Sequence, residues 1–121
     1  MPDLIEATTS GNLNAVIKVL NEEADINTTN EYNNNTPLHL AALFNYKDIA
    51  TLLLALGANV NATNRINNTP LHLASRNGRK EIAEILLANG ADVNIKNNRN
   101  LTAAQLAYQN GHQDIVKMLT S

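Results

Sequence analysis

The sequence predicts an all-α solenoid: four stacked helix-turn-helix units joined by hairpin-like turns, with the terminal units acting as caps. Three observations predict it. Thr36-Pro37-Leu38-His39-Leu40-Ala41-Ala42 recurs as Thr69-Pro70-Leu71-His72-Leu73-Ala74-Ser75, an offset of 33. The likeness runs well past the motif, because residues 36–61 and 69–94 agree at 16 of 26 positions. A degraded copy, Thr102-Ala103-Ala104-Gln105-Leu106-Ala107-Tyr108, stands the same distance further on. A fixed period of roughly 20–50 residues marks an array in which each unit buries its apolar face against its neighbours.

The units fall at roughly 1–32, 33–65, 66–98 and 99–121, together one domain over residues 1–121. In unit one, Ala24-Asp25-Ile26-Asn27 answers Ala58-Asn59-Val60-Asn61 at an offset of 34, with Leu4, Ala7, Gly11 and Leu20 in register, so one extra residue lies within 28–35. Its first helix starts on Asp3-Leu4-Ile5-Glu6 in place of the Thr-Pro-Leu-His motif. In units two and three, Thr36 and Thr69 are good N-caps, and Pro37 and Pro70 then stand at N1, where a missing N–H costs nothing. Leu38, Leu40 and Ala41 continue a short helix. Ile49, Leu52 and Leu53, and again Ile82, Ile85 and Leu86, have the apolar spacing of a second helix. Gly57 and Gly90 follow as C′ residues in the left-handed region, and Glu23 stands at the same place in unit one. Asn45 stands where Gly78 and Gly111 stand, and Asn is the non-glycine residue that best tolerates that region. In unit four Thr102 and Gln105 have capping-box spacing, which secures the helix start without proline.

These residues resemble the ankyrin repeat family, whose hallmark is this period with Thr-Pro-Leu-His near the start of each unit. The resemblance covers essentially the whole chain and makes the expected fold an ankyrin-repeat solenoid. It implies a turn between Asn61 and Thr69 that reaches out from the helices, with Asn34, Asn67 and Asn100 where the family has Gly. It also implies that His39 and His72 bond the adjacent Thr and the neighbouring turn, tying units together. His112 occupies a position that commonly holds His.

Composition agrees with a globular domain. The chain is 44% hydrophobic and 17% charged, with a net charge of −2, which argues against a disordered tail and against a domain built to neutralise phosphates. No nucleic-acid reader motif is recognisable. Cysteine is absent, removing disulfides and thiolate metal sites. The longest aliphatic run, Leu52 to Leu56, is too short to span a bilayer, and the acidic N-terminus shows no export signal, so the default compartment is cytoplasmic. Asn is in excess, and turn chemistry accounts for much of it.

Catalytic chemistry finds no support. Equivalent atoms of His39 and His72 on stacked helices lie roughly 8–10 Å apart, whereas zinc ligands sit about 2 Å from the ion. Ser75 lies three residues after His72 but stands where Ala42 stands, and no Asp is placed to orient that His. The five glycines are too dispersed for a phosphate loop, and Asp48, Glu81, Glu84 and Asp114 read as a solvated helix face. The expectation is a protein that is not an enzyme and needs no cofactor or metal.

The resemblance implies a non-catalytic protein–protein interaction module that binds on its concave face, formed by turn tips and the exposed side of each first helix. Carried onto this sequence, those positions are Tyr32, Asn33, Asn35, Leu43 and Phe44, with Tyr46 beside them, in unit two. Unit three supplies Arg65, Ile66, Asn68, Arg76 and Asn77, with Arg79 adjoining, and unit four supplies Asn98, Arg99, Leu101, Gln109 and Asn110. Arg and aromatic residues are the types enriched in binding hot spots. Charge is segregated too: residues 1–35 carry a net −5 and residues 36–121 a net +3. The expected partner is another protein with an acidic patch, bound by a monomer and inhibited or regulated by it. The competing reading is a scaffold segment of a larger assembly with no partner of its own.

Overall fold

Among the described residues, eight α-helices follow one another in four pairs: α1 (Leu4–Thr9) with α2 (Leu13–Asn21), α3 (Pro37–Phe44) with α4 (Lys47–Ala55), α5 (Pro70–Arg76) with α6 (Lys80–Ala88), and α7 (Ala103–Gln109) with α8 (Gln113–Thr120). The computed structural model describes residues 3–121 and contains no strand among them. Met1 and Pro2, the first residues of unit one and of its acidic start, lie outside the described residues. Each first helix packs on the next first helix and each second helix on the next second helix, so the core is a seam through the whole stack.

Short helices need secured ends, because nucleation is costly and the first N–H groups have no intrahelical partner. Thr36 Oγ1 accepts the His39 N–H at 3.3 Å, while His39 Nδ1 accepts the Thr36 N–H at 3.1 Å. Thr69 and His72 repeat this reciprocal cap at 3.2 and 3.0 Å. In unit four Gln105 replaces the imidazole, accepting the Thr102 N–H on Oε1 at 2.8 Å. Unit one uses Asp3, whose carboxylate accepts the Glu6 N–H at 2.8 Å. The core residues repeat at the period of the sequence: Leu38 and Leu71, Ile49, Ile82 and Ile115, Leu53, Leu86 and Leu119 are all buried. Ala41, Ala42, Ala50, Ala74 and Ala83 are fully enclosed between them, and their small side chains let helices approach closely.

The turns adopt the expected left-handed backbone. Gly57 and Gly90 have φ of 93° and 92°, and Glu23 is forced to 66° at the same point of unit one. Asn34, Asn45, Asn67 and Asn100 also lie in the left-handed region, with φ between 56° and 66°. A β-carbon in that region costs roughly 1–2 kcal/mol, which Asn offsets better than Glu does. Glu23→Gly should therefore raise the denaturant midpoint, with a net gain on the order of 0.5–1 kcal/mol after the added entropy of the unfolded chain. A lower midpoint in urea titrations would contradict the strain assigned to Glu23.

The hairpins are closed by one repeated asparagine. Asn64 Oδ1 accepts the N–H groups of Ile66 and Asn68, and Asn97 Oδ1 accepts those of Arg99 and Leu101. Asn30 does the same for Asn33 and Asn35. Backbone bonds close the loops from Asn64 to Asn68 and from Asn97 to Leu101, whereas the first runs from Asn30 to Asn35. The extra residue of unit one is thus inside the first hairpin, between Asn30 and Asn35. The same asparagines link successive hairpins. Asn64 Nδ2 donates to Asn35 Oδ1 at 2.8 Å, and Asn97 Nδ2 donates to Asn68 Oδ1 at 2.9 Å. The buried imidazoles make a second set of links, with His39 Nε2 donating to the Asn68 carbonyl at 2.8 Å and His72 Nε2 to the Leu101 carbonyl at 2.9 Å.

Both imidazoles are neutral at neutral pH. Burial pushes His39 down from its ordinary 6.5 to about 4 against the opposing pull of the Asn68 carbonyl, and burial lowers His72 as well. A folded-state value below the unfolded one means the unfolded chain binds more protons between them, so this stability is complete above about pH 6.5 and is lost as pH falls towards 4. Glutamine at position 39 keeps amide hydrogen bonding, as Gln105 does, but removes the titration. Urea unfolding of the wild type and His39→Gln at pH 7.5 and pH 4 should show the wild type losing about 3 kcal/mol more across that range. Parallel losses would contradict the assigned burial cost.

Candidate partner-binding surface

The hairpin tips form a continuous row because backbone bonds join them. The Arg65 N–H donates to the Asn33 carbonyl at 2.8 Å, and the Asn98 N–H donates to the Ile66 carbonyl at 3.0 Å. Side chains reinforce the row: Arg65 Nη2 donates to the Glu31 carbonyl at 3.2 Å and Asn98 Nδ2 to the Arg65 carbonyl at 3.4 Å. Tyr32, at 88% exposure, projects from the first tip, and Ile66 is exposed on the second. Behind the tips run the last turns of α3, α5 and α7. They present Phe44, 42% exposed, then Arg76 and Gln109, with Leu43 half-buried. Asn77 and Asn110 turn their amides back to the Leu73 and Leu106 carbonyls, both at 2.8 Å, closing their own helices.

Between the third and fourth units the row encloses a groove of about 330 Å³. Ile66, Asn68, Arg76, Arg99 and Gln109 line it, together with Asn97, Leu106 and Asn110. With Asn110, six positions expected to share a surface therefore share a cavity. Asn35 and Asn68 are a correction. Expected at the exposed face, they are only 3% and 2% accessible, since their side-chain carbonyls are taken up by the amides of Asn64 and Asn97 in the next hairpin. Asn68 forms the floor of the groove, and Asn35 is packing.

Tyr46 and Arg79 belong to a device between units. Each precedes a second helix and reaches back to a carbonyl near the end of the preceding unit's first helix. The Tyr46 hydroxyl donates to the Thr9 carbonyl at 3.2 Å, Arg79 Nη2 to the Leu43 carbonyl at 3.3 Å, and His112 Nε2 to the Arg76 carbonyl at 3.1 Å. Those carbonyls lie in the last turn of a helix, where intrahelical donors run out and a cation such as Arg79 also suits the helix dipole. Tyr46 keeps one face near Phe44, with ring centroids 5.8 Å apart. Leu101 is half-buried; its carbonyl accepts from His72, and it borders an apolar depression on the outer face of α7 and α8.

Among the described residues, no three His, Cys, Asp or Glu side chains converge as a metal ion requires, and no helix is long and apolar enough to cross a membrane. Comparison with known proteins completes the picture. The family model described as ankyrin repeats (3 copies) matches residues 4–97 and 63–121. The chain belongs to the ankyrin repeat family. It is 46% identical over 61 residues to human (Homo sapiens) protein phosphatase 1 regulatory subunit 27 and 44% identical over 61 residues to that of the mouse (Mus musculus), in each case 50% of this chain and 39% of the relative. It is 41% identical over 51 residues, 42% of this chain, to 12% of the serine/threonine-protein kinase VIK of Arabidopsis thaliana. The chain thus spans well under half the length of these relatives.

The ankyrin period carried a signal for the features that sequence reasoning missed. Asn30, Asn64 and Asn97 recur at offsets of 34 and 33, and Tyr46, Arg79 and His112 at offsets of 33. In the first set identity betrays the shared role; in the second, three different side chains conceal it. The ring struts also explain two glycines. A β-carbon on Gly11 would lie 2.8 Å from the Tyr46 ring, and one on Gly78 would lie 2.7 Å from the His112 ring, whereas Gly111 has nothing within 4 Å. Gly111→Ala should then cost only the left-handed backbone term, roughly 1–2 kcal/mol. Gly78→Ala should cost more, because His112 must also leave its carbonyl. Equal losses in thermal melts would show that the imidazole contact is dispensable.

Proposed function

We propose that this chain is a non-catalytic protein-binding module that docks a partner protein on its concave face as a monomer and regulates that partner. The observation that carries the reading is the row of exposed Arg65, Arg76 and Arg99 beside exposed Tyr32 and Phe44 on hairpins and helix ends held by hydrogen bonds. A surface ordered in advance gives up little conformational entropy on docking. Arginine presents a permanent charge in a planar fork, and aromatic side chains supply apolar contact at low entropic cost. The segregation of charge, −5 in residues 1–35 against +3 in the remainder, favours a partner whose acidic side faces units three and four. The likeness to a phosphatase regulatory subunit supports a regulatory role; the partner of this chain is identified by chemistry alone.

Phe44→Ala combined with Arg76→Ala should abolish capture of the native partner from its source while leaving the melting temperature unchanged. Arg76→Ala spares the backbone carbonyl that His112 uses. The matched control is Asp48→Ala with Glu84→Ala, exposed positions on α4 and α6, which should retain binding. Loss of the partner by the control pair and retention by the first pair would assign binding to the opposite face.

A further inference from the structure

The groove between units three and four is chemically one-sided. Arg76 enters it from the end of α5 and Arg99 from the third hairpin, and no Asp or Glu lines it. Neither guanidinium makes a hydrogen bond or ion pair to the described residues; the ion pair they contain is Lys47 with Glu81, on the second helices. Ile66, half exposed, and Leu106 give the walls apolar patches. On the floor, Asn68 has its Oδ1 committed to Asn97, while its Nδ2 makes no hydrogen bond within the described residues. Two free forks and a free amide donor around an opening lined by no carboxylate suit a carboxylate held bidentately.

Dimensions narrow the occupant. A volume of about 330 Å³ admits a few side chains of an extended chain; an α-helix, roughly 10 Å across, needs more room for even two turns. Phe44 stands one unit before Asn77, the neighbour of Arg76, and two units before Asn110, the neighbour of Gln109. Units stacked roughly 8–10 Å apart put the groove about 10–20 Å from Phe44. An extended chain advancing about 3.3 Å per residue covers that distance in roughly three to six residues. We propose that the groove takes the carboxylate side chain of an extended acidic segment of the partner protein, and that an apolar side chain roughly three to six residues away in that segment seats on Phe44. The inference rests on the concave face being the binding face, and it adds the form and spacing of what binds.

The test uses the full chain and fluorescein-labelled peptides with a Gly/Ser backbone, one Leu and one Glu, the two separated by one to nine positions. Polarisation at low ionic strength should show the tightest binding at separations of three to six. Replacing Glu by Gln should weaken it at least tenfold, as should Arg76→Ala with Arg99→Ala in the protein. Lys80→Ala with Lys117→Ala should change it less than twofold. A protein carrying Arg76→Glu and Arg99→Glu should bind the Lys version of the peptide in preference to the Glu version, which separates charge recognition from loss of folding. Equal affinity for the Gln peptide, or indifference to spacing, overturns the inference. So does failure of every peptide while native-partner capture still depends on Phe44 and Arg76; a folded surface then occupies the concave face and the underlying reading stands. If capture is indifferent to Phe44 and Arg76, that reading falls as well.

Discussion

The stack depends on two buried imidazoles that each satisfy three backbone or hydroxyl groups at once. Within its own unit, Nδ1 of His39 or His72 meets the N-cap threonine; across the junction, Nε2 meets a carbonyl of the next hairpin. A single side chain thereby sets both where a helix begins and how far the following hairpin sits from it. Burial in apolar surroundings is tolerable only because the ring stays neutral and both nitrogens are used. In unit four Gln105 keeps the helix start while no further hairpin follows among the described residues, so the two tasks of the imidazole are separable.

That arrangement explains what was legible beforehand. Periodicity identifies equivalent positions, and local chemistry identifies those whose role is local: the threonine caps, the N1 prolines, the glycines and asparagines of left-handed turns. It does not tell which way an equivalent position points. Asn35 and Asn68 are polar residues in a turn, the usual description of a surface residue, and only the amides of Asn64 and Asn97 from the next hairpin make their burial affordable. Tyr46, Arg79 and His112 were harder still. Chemical variety at one register reads as freedom from constraint, yet the constraint there is reach to a helix-end carbonyl, which a phenol, a guanidinium and an imidazole all meet. The groove lies beyond both kinds of reading, since it is assembled from a hairpin and a helix of each of two units.

The same cross-links bear on function. Hairpin tips are the parts of such a fold farthest from the core and would ordinarily be its loosest. Here each tip is bonded to its neighbour through backbone and side-chain amides, so order is delivered outward from the buried asparagines to Arg65, Ile66, Asn98 and Arg99. Much of the asparagine content is thereby accounted for by compact amides, which donate and accept without charge and leave the arginines as the dominant charges at those tips.

The strut position imposes a grammar on the order of units. Rings at Tyr46 and His112 lie over Gly11 and Gly78, while the linear guanidinium chain of Arg79 follows Asn45. A second copy of unit two inserted directly after the first would bring a phenol ring onto the β-carbon of Asn45, whereas unit three can follow unit two as it does here. Tandem duplication, the simplest route by which a repeat array lengthens, is therefore not free at every junction. A lengthened array must either change the strut or change the turn residue before it, and the two positions are expected to vary together.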